Sequence, residues 1–520
     1  MLEDFNGSLA VKATPSTWVG FVAMCVGMFM AILDIQVVAT SLPTIQTALD
    51  IYPDDMSWIQ TAYLIAEVIA IPLTGVLTRL LTMRWLYVTA ISVFVISSIG
   101  CALSGSFGEL VLWRVFQGFS GGTLIPAVFS AVFILFPAER QATATTIAGV
   151  LAVLAPTIGP TVGGWITSTY SWHWLFLINA VPGIVSALFA ARFLPREIPR
   201  LGEFRRIDLL SLIMMAGALT SLELSLTEAP TRGWLSAFVL ALLALFLILG
   251  CAFVVRTLGA RNRIVQLENF ADRNFLIGSI LSFVLGIGLF GSVYLMPVFL
   301  AFVRNHDALE IGRTMLVTGI AQLIAAPIAV QLEKRMDPRL LSFMGFAVFM
   351  IGIFMSSFQD PRTDFDGMFW PQVVRGAAIM FCLLPPTRLA LGALSKDRVP
   401  DASGLFNLMR NLGGAIGIAL IDTVIYTRSP AIDEAMMARL ARGDTATANF
   451  VGVSLDTLSK QASGAFSDET IAMLDPIVQN AAAAQAINEA WAMIAVLTLC
   501  ALLLVPFARK PEHGVDGGAR

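Results

Sequence analysis

Several ionisable side chains stand inside long apolar stretches of this 520-residue sequence: the acids Asp34, Glu67, Glu223 and Asp422, and the bases Arg114, Arg313, Arg375, Arg388 and Arg410. A charge at the centre of a bilayer costs about 2.5–3.5 kcal/mol on insertion scales, so such residues should face the protein interior and have a task. The chemistry open to the acids is proton exchange. A carboxyl that is neutral when protonated and charged when not lets one helix position favour different sides of a membrane. Asp34, mid-stretch, is the best placed; its alternative is a structural ion pair with an arginine. Arg114 is the candidate partner, able to hold a carboxylate bidentately or to drive off its proton as cargo arrives. Glu67 reads either as a substrate or proton group or as a water-exposed rim residue. Glu223, near the outer end of its stretch, reads as solvated, and Asp422 as paired with Arg428 or the polar segment that follows. Arg313 reads as interfacial. Arg375, Arg388 and Arg410, in adjacent stretches, form either a basic inner wall that attracts anionic or weakly acidic compounds or part of a gate.

The elements that must position these groups follow from composition. Hydrophobic residues make up 57% of the chain and charged residues 13%, against about 25% charged in a soluble protein. The mean hydropathy is +0.78. This excludes an ordinary soluble enzyme and a disordered chain, and a net charge of -3 offers no basic field for nucleic acid. The five cysteines, Cys25, Cys101, Cys251, Cys382 and Cys500, all fall in apolar runs without metal-type spacing, and three histidines give no metal site.

A helical bilayer crossing needs about 20 predominantly apolar residues. Fourteen such runs occur, near 18–40, 57–78, 85–104, 110–135, 143–166, 174–194, 208–226, 236–255, 274–300, 311–331, 340–358, 369–393, 402–426 and 488–508. The first contains Asp34 and reads as a retained helix, not a cleaved leader. Lys and Arg collect in cytoplasmic loops. One alternate set of loops holds Arg79, Arg84, Arg140, the arginines from Arg192 to Arg206 and from Arg256 to Arg273, Lys334, Arg335, Arg339, Lys396 and Arg398, with Lys12, Arg509, Lys510 and Arg520 at the termini. The other holds only Arg232, Arg304, Arg362, Arg428, Arg439, Arg442 and Lys460. This asymmetry predicts that both termini are cytoplasmic. Residues 427–487 form a long polar segment on the other side, with helical character near Glu434–Arg442 and Ala481–Ala490. It is either a tolerated insertion or a contact surface for a partner.

The chain also repeats in parallel. Ala70–Leu77 with Arg84 matches Ala325–Leu332 with Arg339, and Trp113–Ile125 matches Pro371–Leu383 at nearly the same offset. This predicts two six-helix halves, 1–200 and 274–520, with two inserted helices over 201–273. Parallel halves around a central site are a transporter architecture.

In the fifth run, Ala155-Pro156-Thr157-Ile158-Gly159-Pro160-Thr161-Val162-Gly163-Gly164 places small residues on one helix face, where another backbone can approach closely. This stretch resembles the antiporter motif of the major facilitator superfamily. Met30 to Pro43, with Asp34, resembles the first-helix motif of its fourteen-span drug:proton antiporters, and Leu112-Trp113-Arg114-Val115-Phe116-Gln117-Gly118 resembles the fourth-helix motif with its membrane arginine. Gly75 to Arg84 sits where the family's loop motif belongs but departs from it: Arg79 holds the usual Asp position and Thr82 the second Gly position. Stretches including Ile71–Gly75, Arg206-Ile207-Asp208 and Trp370-Pro371-Gln372 are similar to EmrB-type multidrug exporters, over almost the whole chain.

The resemblance implies an all-α membrane protein of the major facilitator fold with 14 transmembrane helices. It implies an inner-membrane pump working with an EmrA-like periplasmic adaptor and a TolC-like outer-membrane channel. The expected activity is proton-coupled export of hydrophobic or amphiphilic compounds, with the proton gradient as energy source and no cofactor. Asp34, Arg114 and Glu67 would couple the proton. Phe29, Met30, Gln117, Phe290, Tyr294, Met296, Arg375, Arg388 and Arg410 would line the cavity, where adaptable Met and flat aromatics suit many apolar shapes. The alternative is a dedicated exporter of one lipid, siderophore or metabolite. No His-Glu-x-x-His, Gly-x-Ser-x-Gly or P-loop supports a membrane enzyme or an ATP-driven pump in this chain.

Overall fold

The computed structural model describes residues 14–39, 41–52, 55–200, 202, 208–260, 263–453 and 468–509. Lys12, Thr40, Arg205, Arg206, Arg261, Lys460, Lys510, Arg520 and the side chain of Pro43 lie outside the described residues. Apolar runs that cannot leave backbone groups unbonded in lipid become helices. In chain order these are α1 (Pro15–Ala39), α2 (Trp58–Ala102), α3 (Phe107–Leu135), α4 (Ala138–Thr169), α5 (His173–Phe193), α6 (Leu209–Arg232), α7 (Ala237–Gly259) and α8 (Arg273–Val303). They continue with α9 (Ala308–Glu333), α10 (Pro338–Met355), α11 (Phe365–Leu391), α12 (Val399–Ala441), α13 (Thr445–Val451) and α14 (Asp468–Leu502). The chain is a multi-pass membrane protein.

The second and third runs merge in α2, whose 45 residues would extend about 68 Å as one straight helix, twice a bilayer core of about 30 Å. The axis breaks at Thr82, which adopts φ 70° and ψ 159°. That region is open essentially to glycine alone and costs other residues about 1–3 kcal/mol. Thr82 stands where the family motif carries its second glycine, and its buried Oγ1 has no partner.

Neighbour relations recur along the chain. α1 packs on α4 and α5, and α8 packs on α12 and α14. α2 packs on α3 much as α9 and α10 pack on α11. Two apolar cores result, one centred on Phe21, Tyr87, Phe94 and Phe129, the other on Phe299, Phe346, Phe349 and Trp491. The inserted helices pair with each other. α6 also packs on α2 and α12, whereas α7 buries only Val239, Phe253 and Thr257. Asp208 caps the start of α6 and grips Arg256 of α7 with both oxygens, at 2.7 and 2.9 Å. Those hydrogen bonds hold the Asp208 carboxyl well below the usual carboxylate range.

The stretches expected to be helical, Glu434–Arg442 and Ala481–Ala490, fall almost wholly within α12 and α14. α12 runs unbroken for 43 residues, about 65 Å, so its outer part stands clear of any bilayer core. It meets α13 and the start of α14 around Ile432, Met436, Leu440, Val451, Leu474 and Val478. Spaced four apart, Ile432, Met436 and Leu440 present one apolar stripe, which draws α12, α13 and the start of α14 together as a helical hairpin.

Thr82→Gly removes a disfavoured backbone conformation and an unpartnered hydroxyl. It should raise the thermal unfolding midpoint of the detergent-solubilised protein, by the equivalent of about 1–3 kcal/mol. An unchanged or lowered midpoint would show that the break is unstrained.

Candidate functional site

Asp34 is buried within the first six-helix half. Its Oδ2 accepts from Arg114 Nη1 at 2.5 Å, and its Oδ1 accepts from Gln117 Nε2 at 3.0 Å and Asn179 Nδ2 at 2.8 Å. Ser98 Oγ accepts from both amides, at 2.7 and 3.2 Å. Arg114 also donates Nε to the Ile59 carbonyl at 3.0 Å, and its guanidinium lies 4.3 Å from the centre of the Tyr63 ring. Four helices, α1, α2, α3 and α5, thus meet at one pair of opposite charges, whose remaining hydrogen bonds supply much of the solvation lost on burial. The spacing in the fourth-run motif puts Arg114 and Gln117 one turn apart on one face. Asn179 and Ser98 carried no sequence signal.

A separate cavity of about 280 Å³ lies between the halves. Ile32, Ile35 and Gln36 of α1, Gln60, Leu64 and Glu67 of α2, and Pro156 of α4 line one side. Leu285, Leu289 and Phe290 of α8, with Asn407, Arg410, Asn411 and Asp422 of α12, line the other. Glu223 of α6 completes the wall. Glu67 and Glu223, 3% and 6% exposed, therefore share an apolar chamber. No ion pair holds either of them among the described residues, and Glu223 Oε2 has no partner.

Below the cavity, towards the start of α12, the halves are shut. Arg79 of α2 pairs with buried Asp401 of α12, Gly75 leaves room for that same aspartate, and Ser403 Oγ donates to the Pro126 carbonyl at 2.9 Å. The loop motif that carries Arg79 in place of its usual Asp is thus matched by an acid on the opposite half. The small-residue ridge of α4 lies against both halves. Gly159 meets Gln36 of α1, Thr161 meets Gly312 of α9, and Ala155 and Gly163 are buried. Pro160 is buried beside Gly159, and Gly164 is partly exposed.

Other candidates fall elsewhere than expected. Phe290 and Arg410 line the cavity, whereas Met30 packs inside the first half against Gly183, Phe29 joins that half's apolar core and Gln117 serves Asp34. Met30 and Asp34 are one turn apart on α1, so they turn inward together. Tyr294 reaches the chamber only by donating to Asp422 at 2.6 Å, and Arg428 pairs with Glu489, not Asp422. Glu223 is not solvated, because α6 docks its inner face on α2 and α12. The arginines make no common wall. Arg388 sits near the end of α11, partly exposed, and donates to the Glu333 carbonyl at 3.3 Å, and Arg375 lies deep in the second half beside Met296. Arg313 is exposed. Among the described residues no cluster of His, Cys, Asp or Glu is placed to hold a metal.

Removing one partner of a buried ion pair costs about 3–5 kcal/mol. Asp34→Asn should therefore lower the thermal midpoint sharply, with partial recovery in Asp34→Asn/Arg114→Met, while Glu67→Gln should unfold near the wild-type midpoint. Equal midpoints for Asp34→Asn and wild type would contradict the locked pair. In a background without native cysteines, Arg79→Asp should speed alkylation of a cysteine placed at Ser403, and Asp401→Arg added to it should restore protection. Unchanged alkylation in Arg79→Asp would show that this pair does not close the halves.

Comparison with known proteins agrees with this architecture. The family model described as Major Facilitator Superfamily matches residues 24–418. The Colistin resistance protein EmrB of Acinetobacter baumannii is 39% identical over 416 residues, 78% of this chain and 80% of that protein. The Multidrug export protein EmrB of Escherichia coli K12 is 29% identical over 502 residues, 96% of each. Among solved structures, the human organic anion transporter MFSD10 superposes with a TM-score of 0.58 at 14% identity, covering 95% of this chain and 100% of that one. With the family model matched over residues 24–418 and a 39% identical relative covered to 80% of its length, the chain belongs to the major facilitator superfamily.

Proposed function

We propose that this protein is a proton-coupled antiporter that exports hydrophobic and amphiphilic drugs by alternating access. The observation that carries the reading is the chamber between the halves, apolar over most of its wall and holding the unpaired carboxyls Glu67 and Glu223. An ionised carboxylate without a partner is costly to bury, so proton exchange is the chemistry these two carboxyls offer to the chamber. A compound that needs the chamber's space or charge changes that balance and is exchanged for a proton. Asp34 with Arg114 is a second proton station, tied to the chamber through α1, which places Asp34 on one face and Ile35 and Gln36 on the other. The names of the two EmrB relatives, in drug export and colistin resistance, support this substrate class.

In this reading the chain lies in the bacterial inner membrane with both termini in the cytoplasm, an orientation that the Lys and Arg asymmetry of the loops supports. The Arg79–Asp401 end then faces the cytoplasm, and the structure is the state closed to that side. The α12–α13–α14 hairpin stands in the periplasm. It is the surface offered to an EmrA-like adaptor, which leads on to a TolC-like channel. No cofactor takes part; the proton gradient supplies the energy.

The test uses everted vesicles energised to an acid interior. Adding a hydrophobic weak acid or cation should make the interior more alkaline in wild type, and Glu67→Gln should abolish the response while inserting normally. ATP-dependent transport after collapse of the proton gradient, or full coupled export by Glu67→Gln, would overturn the mechanism.

A further inference from the structure

The two halves treat their buried arginines differently. The internal repeat aligns Trp113–Ile125 with Pro371–Leu383, which sets Arg114 against Gln372 and Gln117 against Arg375. Each half therefore buries one arginine and one glutamine, a turn apart, on equivalent helices. In the first half the cluster is completed by the carboxylate of Asp34. In the second half no carboxylate among the described residues pairs with Arg375. Arg375 is 2% exposed and donates Nη2 to Met296 Sδ at 2.9 Å and, weakly, to Thr318 Oγ1 at 3.5 Å. Its guanidinium also lies 5.1 Å from the centre of the Trp491 ring.

Every orphaned polar atom of this cluster is a donor: Arg375 Nε and Nη1, Gln372 Nε2 and Trp491 Nε1. Arg375 forms no ion pair among the described residues. It lines a void of about 10 Å³, shared with Ser292, Met296 and Thr318. That is space for about one water-sized group. Val153, Leu289 and Ile379 line both this void and the central chamber, so the two are separated by no more than one layer of apolar side chains.

We propose that Arg375 forms an anion subsite beside the chamber, which takes one negatively charged group to complete the ion pair that this arginine lacks. The volume suits a single oxygen of a carboxylate whose apolar body occupies the chamber, or one halide ion. A guanidinium buried among unpaired donors binds such a group with charge-assisted hydrogen bonds. Met296, the flexible thioether in contact with Nη2, is the side chain that yields to admit it. The inference rests on the exporter reading for the chamber's role. Its test is a binding measurement on unenergised protein, so its failure and a failure of proton-coupled export are separate results.

The full chain in nanodiscs is titrated with dansyl-undecanoate and with its methyl ester, in sodium gluconate and in sodium chloride. In gluconate the carboxylate should bind at least about tenfold more tightly than the ester, the margin of one hydrogen-bonded charge. Arg375→Met should erase that preference while leaving ester affinity unchanged. Met296→Glu, which supplies an internal carboxylate and keeps the arginine, should erase it too. If the carboxylate preference is absent in wild type, but chloride raises the thermal midpoint of wild type and not of Arg375→Met or Met296→Glu, the anion is a free halide and the subsite stands. The proposal is overturned if wild type shows neither a carboxylate preference nor a chloride response. It is equally overturned if either response survives unchanged in Arg375→Met or Met296→Glu.

Discussion

A guanidinium withdrawn from water must be answered inside the protein, and this requirement organises both halves of the molecule. In the first half the answer is a carboxylate, which leaves only Arg114 Nη2 without a partner. Asp34 neutralises Arg114, and Gln117, Asn179, Ser98 and the Ile59 carbonyl take up most of the remaining hydrogen-bonding capacity. Because those groups come from α1, α2, α3 and α5, the pair joins four helices that apolar contact alone would hold less specifically. The second half repeats the helices without the acid. One arginine is thus closed by a carboxylate and the other is not, although the repeat sets Arg114 and Arg375 on matching stretches of sequence.

That difference bears on the space between the halves. The halves meet tightly where Arg79 reaches Asp401 and where glycines allow backbone to approach backbone, as Gly404 does at the Ile71 carbonyl. Farther along, α2 and α12 part, and α6 closes the gap with Glu223. An inserted helix therefore forms part of the central wall, while its partner α7 keeps almost all of its surface for lipid. Of the two helices added to the six-plus-six plan, one contributes to the chamber and the other supports it through the Asp208–Arg256 clasp.

Much of this was legible in the chain. Apolar runs of bilayer length, a charge asymmetry between alternate loops and a twofold repeat predict the crossings, and Arg114 is nameable as the partner of Asp34. What was not legible depends on docking. Glu223 lies on a helix whose inward face is decided by how α6 meets α2 and α12, and the serines and threonines scattered along its outer half do not single that face out. Asn179 is separated from Asp34 by most of the first half, and an isolated asparagine in a helix has no spacing to betray it. Arg79 is visibly anomalous in its motif, but its answer, Asp401, stands at the far end of the sequence. The hairpin was the reverse case. The stripe Ile432, Met436 and Leu440 was present in the sequence, obscured by the polar residues around it.

The continuity of α12 has a mechanical meaning. Its inner end carries Asp401 and Ser403, its middle carries Arg410 and Asp422, and its outer end builds the hairpin, all on one 43-residue helix. A rod pivoting near its centre moves its tip opposite to any movement of its base. Release of the inner latch and the position of the outermost surface are then one displacement seen at two heights, and a body resting on the hairpin would feel the occupancy of the chamber as a change of tilt.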